Sequence, residues 1–128
     1  QETVPVLLEI LLLLGEEADH VQEKYHGLPP EESHPLLVSA WAAALAVLNF
    51  LHQCFETAAK NPDALARSRE CKPIVATFCR WLRFGAVGPE QLVQSPIVHA
   101  ALQSLADPEL YEPASDLICE LAYVSRDL

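Results

Sequence analysis

An all-α fold of stacked helix pairs is predicted by three features of this 128-residue chain. Apolar residues recur at spacings of three and four in every long segment, which is the period of an amphipathic helix. Proline or a capping residue precedes most of these segments, and no run of β-branched residues in strict alternation indicates a strand. Residues 95–128 read as two helices joined by one tight corner, each with a single apolar stripe. Such one-sided helices need neighbours to cover them.

Composition indicates about one domain with a substantial core, because 51% of the residues are hydrophobic and only 20% are charged. The chain contains no methionine, opens on Gln1 and keeps its apolar helical pattern to the end, so we expect a fragment of a longer protein. The formal net charge is −10. This charge opposes binding to nucleic acid or to anionic membranes and favours basic partners, although solvation alone would also explain it.

A membrane span is not predicted. The longest apolar run, 36–51, is interrupted by Ser39 and Asn49 and is shorter than the ~18 to 20 uninterrupted apolar residues that a span needs. The acidic start of the chain is also unlike a signal peptide, which opens with basic residues.

The first helix is predicted over 4–17, with Thr3 as its cap. Its middle is apolar nearly all round except for Glu9, so we expect neighbours on more than one side. A polar segment containing glycine and two prolines follows, and it predicts a loop over 20–32.

Ser33 is predicted to cap a long second helix that runs from Pro35 to about Ala59. Two parallel stripes make its apolar face wide, as in a helix sandwiched between neighbours. The main stripe expected to be buried comprises Leu37, Trp41, Ala44, Leu48, Leu51 and Phe55.

Two further helices are predicted after Asn61, a short one over 63–70 and another from Pro73 to Phe84, where Gly85 ends it. A short helical turn after Gly88 follows. On a helical wheel the second of these helices separates into two sides. The side expected to be buried holds Ile74, Val75, Phe78, Trp81 and Leu82, and the opposite side holds Thr77, Arg80 and Arg83.

The last helix pair carries the clearest local signals. Ser95 is placed to cap a helix with Pro96 at its first position, and Asp107 followed by Pro108 repeats this chemistry at the corner. The predicted buried stripe of the final helix is Leu110, Ala114, Leu117, Leu121 and Val124, and Asp116, Glu120 and Arg126 lie off it.

Helix pairs are thus expected over about 33–85 and 89–128. These lengths are close to the roughly 40 to 47 residues of HEAT or armadillo repeats. The chain would then be one α-α superhelical solenoid fragment of about two and a half to three helix pairs. A closed helical bundle is the alternative architecture.

Catalytic and metal-binding patterns are not recognised, so we expect no enzyme, no metal and no cofactor. The five histidines share no ligand spacing, a G-x-S-x-G turn is missing, and the four glycines provide no phosphate-binding loop. A small helical enzyme using histidine and cysteine is the alternative, and it would need a pocket that gathers two or more of these side chains. We predict that no such pocket exists. The cysteines, expected to be buried free thiols of a reducing compartment, are Cys54, Cys71, Cys79 and Cys119.

Basic residues are concentrated in one part of this acidic chain, with six of the eight between positions 60 and 83. They are Lys60, Arg67, Arg69, Lys72, Arg80 and Arg83. A solvated face explains the concentration. Alternatively the residues form a patch that holds an acidic partner or pairs internally with Glu56, Asp63 and Glu70.

Four segments, taken together and in order, resemble one known family. They are 8–17, 78–92, which contains Phe-Cys-Arg-Trp-Leu-Arg-Phe-Gly, 95–108, and 114–121, which reads Ala-Ser-Asp-Leu-Ile-Cys-Glu-Leu. Their order and spacing resemble the exportin-like region of the importin-β superfamily, in the branch of transportin-SR and importin-thirteen. Gly15 departs from the pattern, since the family usually has proline there.

This resemblance implies a HEAT-repeat receptor that shuttles between cytoplasm and nucleus. Family members bind protein cargo, the GTPase Ran in its GTP form and nuclear pore proteins, and the transportin-SR group imports Ser/Arg-rich splicing factors. By analogy, second helices line the concave side, which would direct Arg80, Arg83, Asp116 and Glu120 towards a partner. A HEAT scaffold unrelated to transport is the alternative function.

Overall fold

The computed structural model of the chain describes residues 3–24, 35–84 and 89–125, and it contains no strand within these ranges. The predicted all-α class is therefore confirmed. The helices are α1 (Thr3–Lys24), α2 (Pro35–Ala59), α3 (Ala64–Trp81), α4 (Pro89–Gln94), α5 (Pro96–Gln103) and α6 (Tyr111–Ser125), and a single 3-10 turn, Leu82–Phe84, follows α3.

Helix α3 lies at the centre, where it packs against α1, α2 and α6. Helix α5 packs against α6, α4 and α2, so the first helices and the last ones meet both through α3 and at the α2–α5 contact. The largest fully buried apolar side chains come from α2, α3, the 3-10 turn, α5 and α6. They are Leu51, Phe78, Phe84, Ile97 and Leu117.

The predicted bounds of α2 and the predicted cap of α5 hold, whereas α6 begins at Tyr111, so Pro108 lies in a turn and not at a first helical position. Helix α2 has the predicted bounds, and Ser95 caps α5 by accepting a hydrogen bond from the Val98 amide at 3.4 Å. At the corner, the Asp107 carboxylate accepts hydrogen bonds from the Glu109 amide at 2.9 Å and from the Ser68 hydroxyl at 2.7 Å. The corner is therefore fixed both to its own turn and to α3.

Helix α1 is longer than predicted. It continues through 20–24, where a loop was expected, because Ala18 and Val21 extend the buried stripe past Glu17. Thr3 is the first helical residue described rather than a cap. The rest of the predicted loop and the Ser33 cap lie outside the described residues.

Helix α3 is one helix and not two. Asp63 caps it through hydrogen bonds from the Leu65 and Ala66 amides at 3.1 and 3.5 Å, and the helix continues through Pro73. A proline in a helix interior costs about 3 kcal/mol, so packing must offset it. The flanking side chains that supply this packing are Cys71, Ile74, Val75 and Phe78, all buried.

Thr77 corrects the predicted polar side of this helix. The residue is fully buried, and its hydroxyl donates a hydrogen bond to the Pro73 carbonyl at 2.7 Å. Because α3 has neighbours on three sides, a wheel position that would face solvent in a peripheral helix is enclosed here.

Helices α1 and α2 bury less apolar surface than predicted. The buried side of α2 is built on small residues, Ala40, Ala44 and Ala58 with Leu48 and Leu51, which allow a close approach of the neighbouring helices. Trp41 was expected in this stripe but is 40% exposed. The large apolar side chains left exposed are Val6, Leu7, Ile10, Leu13 and Leu14 on α1, and Val38, Trp41 and Leu45 on α2.

By length and composition alone, α2 could cross a membrane over Val38–Ala59, contrary to the prediction. Ser39 and Asn49 interrupt the apolar run, but the helix carries few charged residues and its mean hydropathy is still high enough for a span. A third of the most hydropathic stretch is buried in the fold. One such helix is weak support for a span, because core helices of soluble proteins share its composition.

Candidate functional site

A groove of 460 Å³ crosses the surface of α3 between α1 and α6. An adjoining concavity of 310 Å³ shares four lining residues with it, so the two form one continuous α1/α3/α6 groove. The larger part is lined by Leu12 and Glu16 from α1, by Ala76, Cys79 and Arg80 from α3, and by Glu112, Asp116, Cys119, Glu120 and Tyr123 from α6. The smaller part adds Lys72, Pro73 and Pro113.

Three of the four predicted partner-binding residues, Arg80, Asp116 and Glu120, lie together in this groove. The side chain of Arg83 lies outside the described residues. Sequence reasoning missed Glu16 and Glu112, although one signal was available. Glu112, Asp116 and Glu120 are spaced by four and must share a face of α6.

Glu120 is more enclosed than predicted, since only 8% of the residue is exposed. It lies between Leu117 and Leu121 of the buried stripe, and therefore on the side of α6 that faces α3. Asp116 is exposed, as its wheel position predicted. On the acidic face of α6, Asp116 thus lies at the open edge of the groove and Glu120 lies in its wall.

Arg80 contacts acids of α1 rather than the expected acids near the basic segment. Its Nε lies 4.0 Å from Oε2 of Glu16, and its NH1 lies 3.9 Å from Oδ2 of Asp19. Such half-exposed pairs contribute at most about 1 kcal/mol each. Arg80 therefore links α1 to α3 at the edge of the groove.

The rest of the basic segment is also partly paired. Arg69 lies 3.6 Å from Glu109 at the corner before α6, and Arg67 donates a hydrogen bond to the Asn61 carbonyl at 2.8 Å. The predicted partner Glu70 instead accepts a hydrogen bond from the Asn61 amide at 2.9 Å. Internal pairing explains much of this concentration of basic residues, with partners other than those expected.

Gly15 and Trp81 determine how closely α1 approaches α3 beside the groove. The indole Nε1 of Trp81 donates a hydrogen bond to the Leu11 carbonyl at 2.8 Å. A Cβ atom on Gly15 would lie 3.0 Å from the same nitrogen and 3.2 Å from Cβ of Arg80. The lack of a side chain at position 15 is what permits this contact.

The charge of the groove is negative on balance. Glu16, Glu112, Asp116 and Glu120 face it, against Arg80 and Lys72. Within the described ranges, neither Glu112 nor Asp116 has an ion-pair partner. Like charges four residues apart on a helix repel each other, and a concave surface focuses their field, so this site favours a cation.

Two thiols also line the groove, which makes the prediction that no pocket gathers two histidine or cysteine side chains wrong. Cys79 is half-buried and Cys119 is exposed, whereas all four cysteines were expected to be buried. Burial is complete only for Cys71, where burial and the nearby Glu70 raise the pKa of the thiol.

A cysteine nucleophile is normally activated by a histidine or another nearby cation. The histidines that the structure describes, His20, His52 and His99, lie outside the groove lining. No group of three or more histidine, cysteine or acidic side chains in the described part of the chain could hold a metal ion. Leu12, Pro73 and Ala76 line the groove together with the carboxylates, so a basic surface would meet both opposite charge and apolar contact here.

Comparisons of the chain with protein-family models, with curated proteins and with solved structures found no match.

Proposed function

We propose that this chain is part of a nuclear transport receptor of the transportin-SR type, in which the α1/α3/α6 groove binds a basic segment of protein cargo. The observation that carries the proposal is the acidic face of α6. Glu112 and Asp116 line a groove to which Leu12, Pro73 and Ala76 also contribute, and neither has an ion-pair partner among the described residues. A Lys- or Arg-bearing segment would supply the missing opposite charges.

The packing pattern supports a solenoid as the frame of this receptor. Helix α2 pairs with α3 and α5 pairs with α6, while α3 also packs against both the preceding α1 and the following α6. Two layers, α1/α3/α6 and α2/α5, are what a stack of helix pairs produces. The second helix of each pair, α3 or α6, belongs to the first of these layers. The groove then lies on the layer that is expected to face a partner.

The uncovered apolar faces of α1 and α2 also support a stack. Eight large apolar side chains are exposed on these two helices, more than scattered surface positions explain. Further helix pairs of a longer solenoid would cover them, as each pair in such a fold covers its neighbour. This explanation accounts for the membrane-like composition of α2 without a membrane.

The activity is binding and release rather than chemistry. Cargo, including Ser/Arg-rich splicing factors, would be held by the acidic layer, and Ran in its GTP form would shift the stack towards a cargo-free arrangement. Linkage then requires that cargo lower the affinity for Ran-GTP by the same factor. Passage through the pore would use contacts with nuclear pore proteins, so the receptor would shuttle between cytoplasm and nucleus.

Nucleotide-selective binding of Ran tests this function. A receptor that contains these helices is expected to bind Ran loaded with GTP strongly and Ran loaded with GDP weakly, as measured by isothermal titration calorimetry. Binding of neither form would contradict the transport function and would favour the HEAT scaffold. The groove is tested separately, with Glu112→Lys and Asp116→Lys expected to weaken cargo binding.

A further inference from the structure

A half-buried histidine joins the two halves of the helix stack. His52 on α2 places Nε2 at 2.7 Å from Oγ of Ser95, the cap of α5. The ring packs edge-on against Phe78 of α3, with centroids 5.2 Å apart and an interplanar angle of 69°. Ser95 is only 4% exposed, so the hydroxyl is not accessible to a substrate. The contact is therefore a joint between α2 and α5.

The hydrogen bonds around this ring define where its proton lies. Oγ of Ser95 is buried and lies 2.7 Å from Nε2, so the Ser95 hydroxyl, which needs an acceptor, donates to that ring nitrogen. A neutral imidazole carries one N–H, so with Nε2 as the acceptor the N–H is on Nδ1. Oγ of Ser95 in turn accepts from the Val98 amide at 3.4 Å. The Ser95 hydroxyl and the Val98 amide are both paired while His52 is neutral.

Protonation removes that pairing. A proton on Nε2 would point at the hydroxyl proton of Ser95. The hydroxyl must then rotate away from the ring, although Ser95 is buried. Oγ can accept from both the imidazolium and the Val98 amide, but its hydroxyl would then be a buried donor without an acceptor, which costs free energy and favours separation of the start of α5 from α2.

The charges around the ring leave the neutral form of His52 favoured. Burial lowers the pKa of His52 below 6.5, and the Leu48 backbone and Glu56 raise it by less. Helix α5 contributes one titratable residue, His99, whose ring is bonded to the Val93 carbonyl at 2.6 Å. Helix α3 presents the uncharged Phe78, and the 3-10 turn packed on α2 contributes the buried Leu82 and Phe84.

We propose that His52 and Ser95 form a pH-responsive joint, in which uptake of a proton by His52 releases the Ser95 hydroxyl and loosens the start of α5 from α2. The joint lies outside the α1/α3/α6 groove and does not depend on the proposed transport function. Its effect is to make the contact between the first and the last helices weaker in mild acid than at neutral pH.

Nuclear magnetic resonance of the 128-residue chain tests the joint directly. The His52 ring is expected to titrate below 6.5, and exchange protection of the Val98 amide, corrected for the intrinsic rate, is expected to fall about fivefold over the same transition. The His99→Gln variant is the matched control and should leave that transition unchanged. Titration of His52 at or above 6.5, or constant protection of Val98, would overturn the proposal.

A variant of the cap gives a second test with the opposite sign. Ser95→Asp keeps a residue that caps helices as well as serine does, and it places a carboxylate beside Nε2. The His52 titration should then move to higher pH by at least about one unit, and protonation should protect the start of α5. An unchanged midpoint would show that the two side chains do not meet, and the joint would be rejected.

Discussion

The C-terminal pair α5–α6 and the N-terminal pair α1–α2 use apolar sequence in different ways. Helices α5 and α6 have one stripe each, and Ile97 and Leu117 from these stripes are fully buried. Helices α1 and α2 are apolar on several sides and leave eight large apolar side chains exposed, whereas α5 and α6 leave three, Leu102, Tyr111 and Tyr123. A helix with a single apolar stripe therefore finds its covering helix within the pair. A helix that is apolar on several sides needs more neighbouring helices than the described residues provide.

The largest expected effect tests this contrast with one substitution in each pair. Leu117→Ala removes a fully buried side chain and should lower the free energy of unfolding by about 2 to 5 kcal/mol. Leu13→Ala, at a residue 57% exposed, should change it by no more than about 0.5 kcal/mol. Urea unfolding followed by circular dichroism measures both. Similar losses for the two variants would show that α1 has a covered outer face.

Gly15→Ala tests the tightest contact of the N-terminal pair and is expected to have a smaller effect. Alanine normally favours a helix over glycine by up to about 1 kcal/mol. Here the added methyl would lie 3.0 Å from Nε1 of Trp81, whose ring is buried and bonded to Leu11, and overpacking costs about 1 to 3 kcal/mol.

A net loss of about 1 kcal/mol is therefore expected for Gly15→Ala in the same unfolding assay. Ser39→Ala, at an exposed position of α2, is the matched control and should be neutral or slightly stabilising. A gain of stability for Gly15→Ala would mean that α1 can move away from Trp81 at no cost.

The smallest expected effect on stability concerns Asp107, at the corner of the C-terminal pair, and it can be measured only in acid. Hydrogen bonds from the Ser68 hydroxyl and the Glu109 amide hold the pKa of Asp107 below its usual 3.8. The folded state thus favours the carboxylate, so this contribution is complete above pH 3.8 and is lost as the pH falls through the lower pKa of the folded protein.

Asp107→Asn cannot titrate and keeps an oxygen for the Glu109 amide, and its Nδ2 can donate to the Ser68 hydroxyl in place of the bond that the second carboxylate oxygen accepts. Its stability between pH 4 and pH 2 should therefore fall less steeply than that of the unmodified chain, as measured by thermal unfolding at each pH. Glu90→Gln, at an exposed residue of α4, serves as the control. Identical pH profiles for Asp107→Asn and the unmodified chain would contradict the role given to Asp107.

Sequence patterns predicted the parts of the fold that depend on residues close together in the chain. Ser95 and Asp107 satisfy backbone amides within three positions, so their roles are readable from sequence. Continuation of α3 through Pro73 and the burial of Thr77 were not readable, because packing on three sides of that helix outweighs the cost of proline. The predicted end of α1 was too early for a similar reason, because burial of Val21 stabilises the helix beyond Glu17.

The candidate site was predicted in part. Wheel positions identified Arg80 and Asp116 as groove residues, but they could not show that Glu16 of α1 would lie beside them, because that contact joins distant parts of the chain. The burial of Glu120 was missed because the wheel does not show that α6 packs closely against α3 at this position. Pairs of helices are predictable here, and the surface between three helices is not.

The most direct test of the account measures binding of a basic segment to the α1/α3/α6 groove. A fluorescent peptide of alternating arginine and serine is titrated with the 128-residue chain, with its Glu112→Lys/Asp116→Lys variant, and with a Glu9→Lys/Glu90→Lys control. The control changes the net charge equally at exposed residues outside the groove lining.

The groove variant is expected to bind the peptide at least about tenfold more weakly than the control does, since each lost charge pair costs roughly 1 kcal/mol. Equal weakening of the two variants would mean that only the overall charge of the chain attracts the peptide, and it would contradict the groove as the docking site.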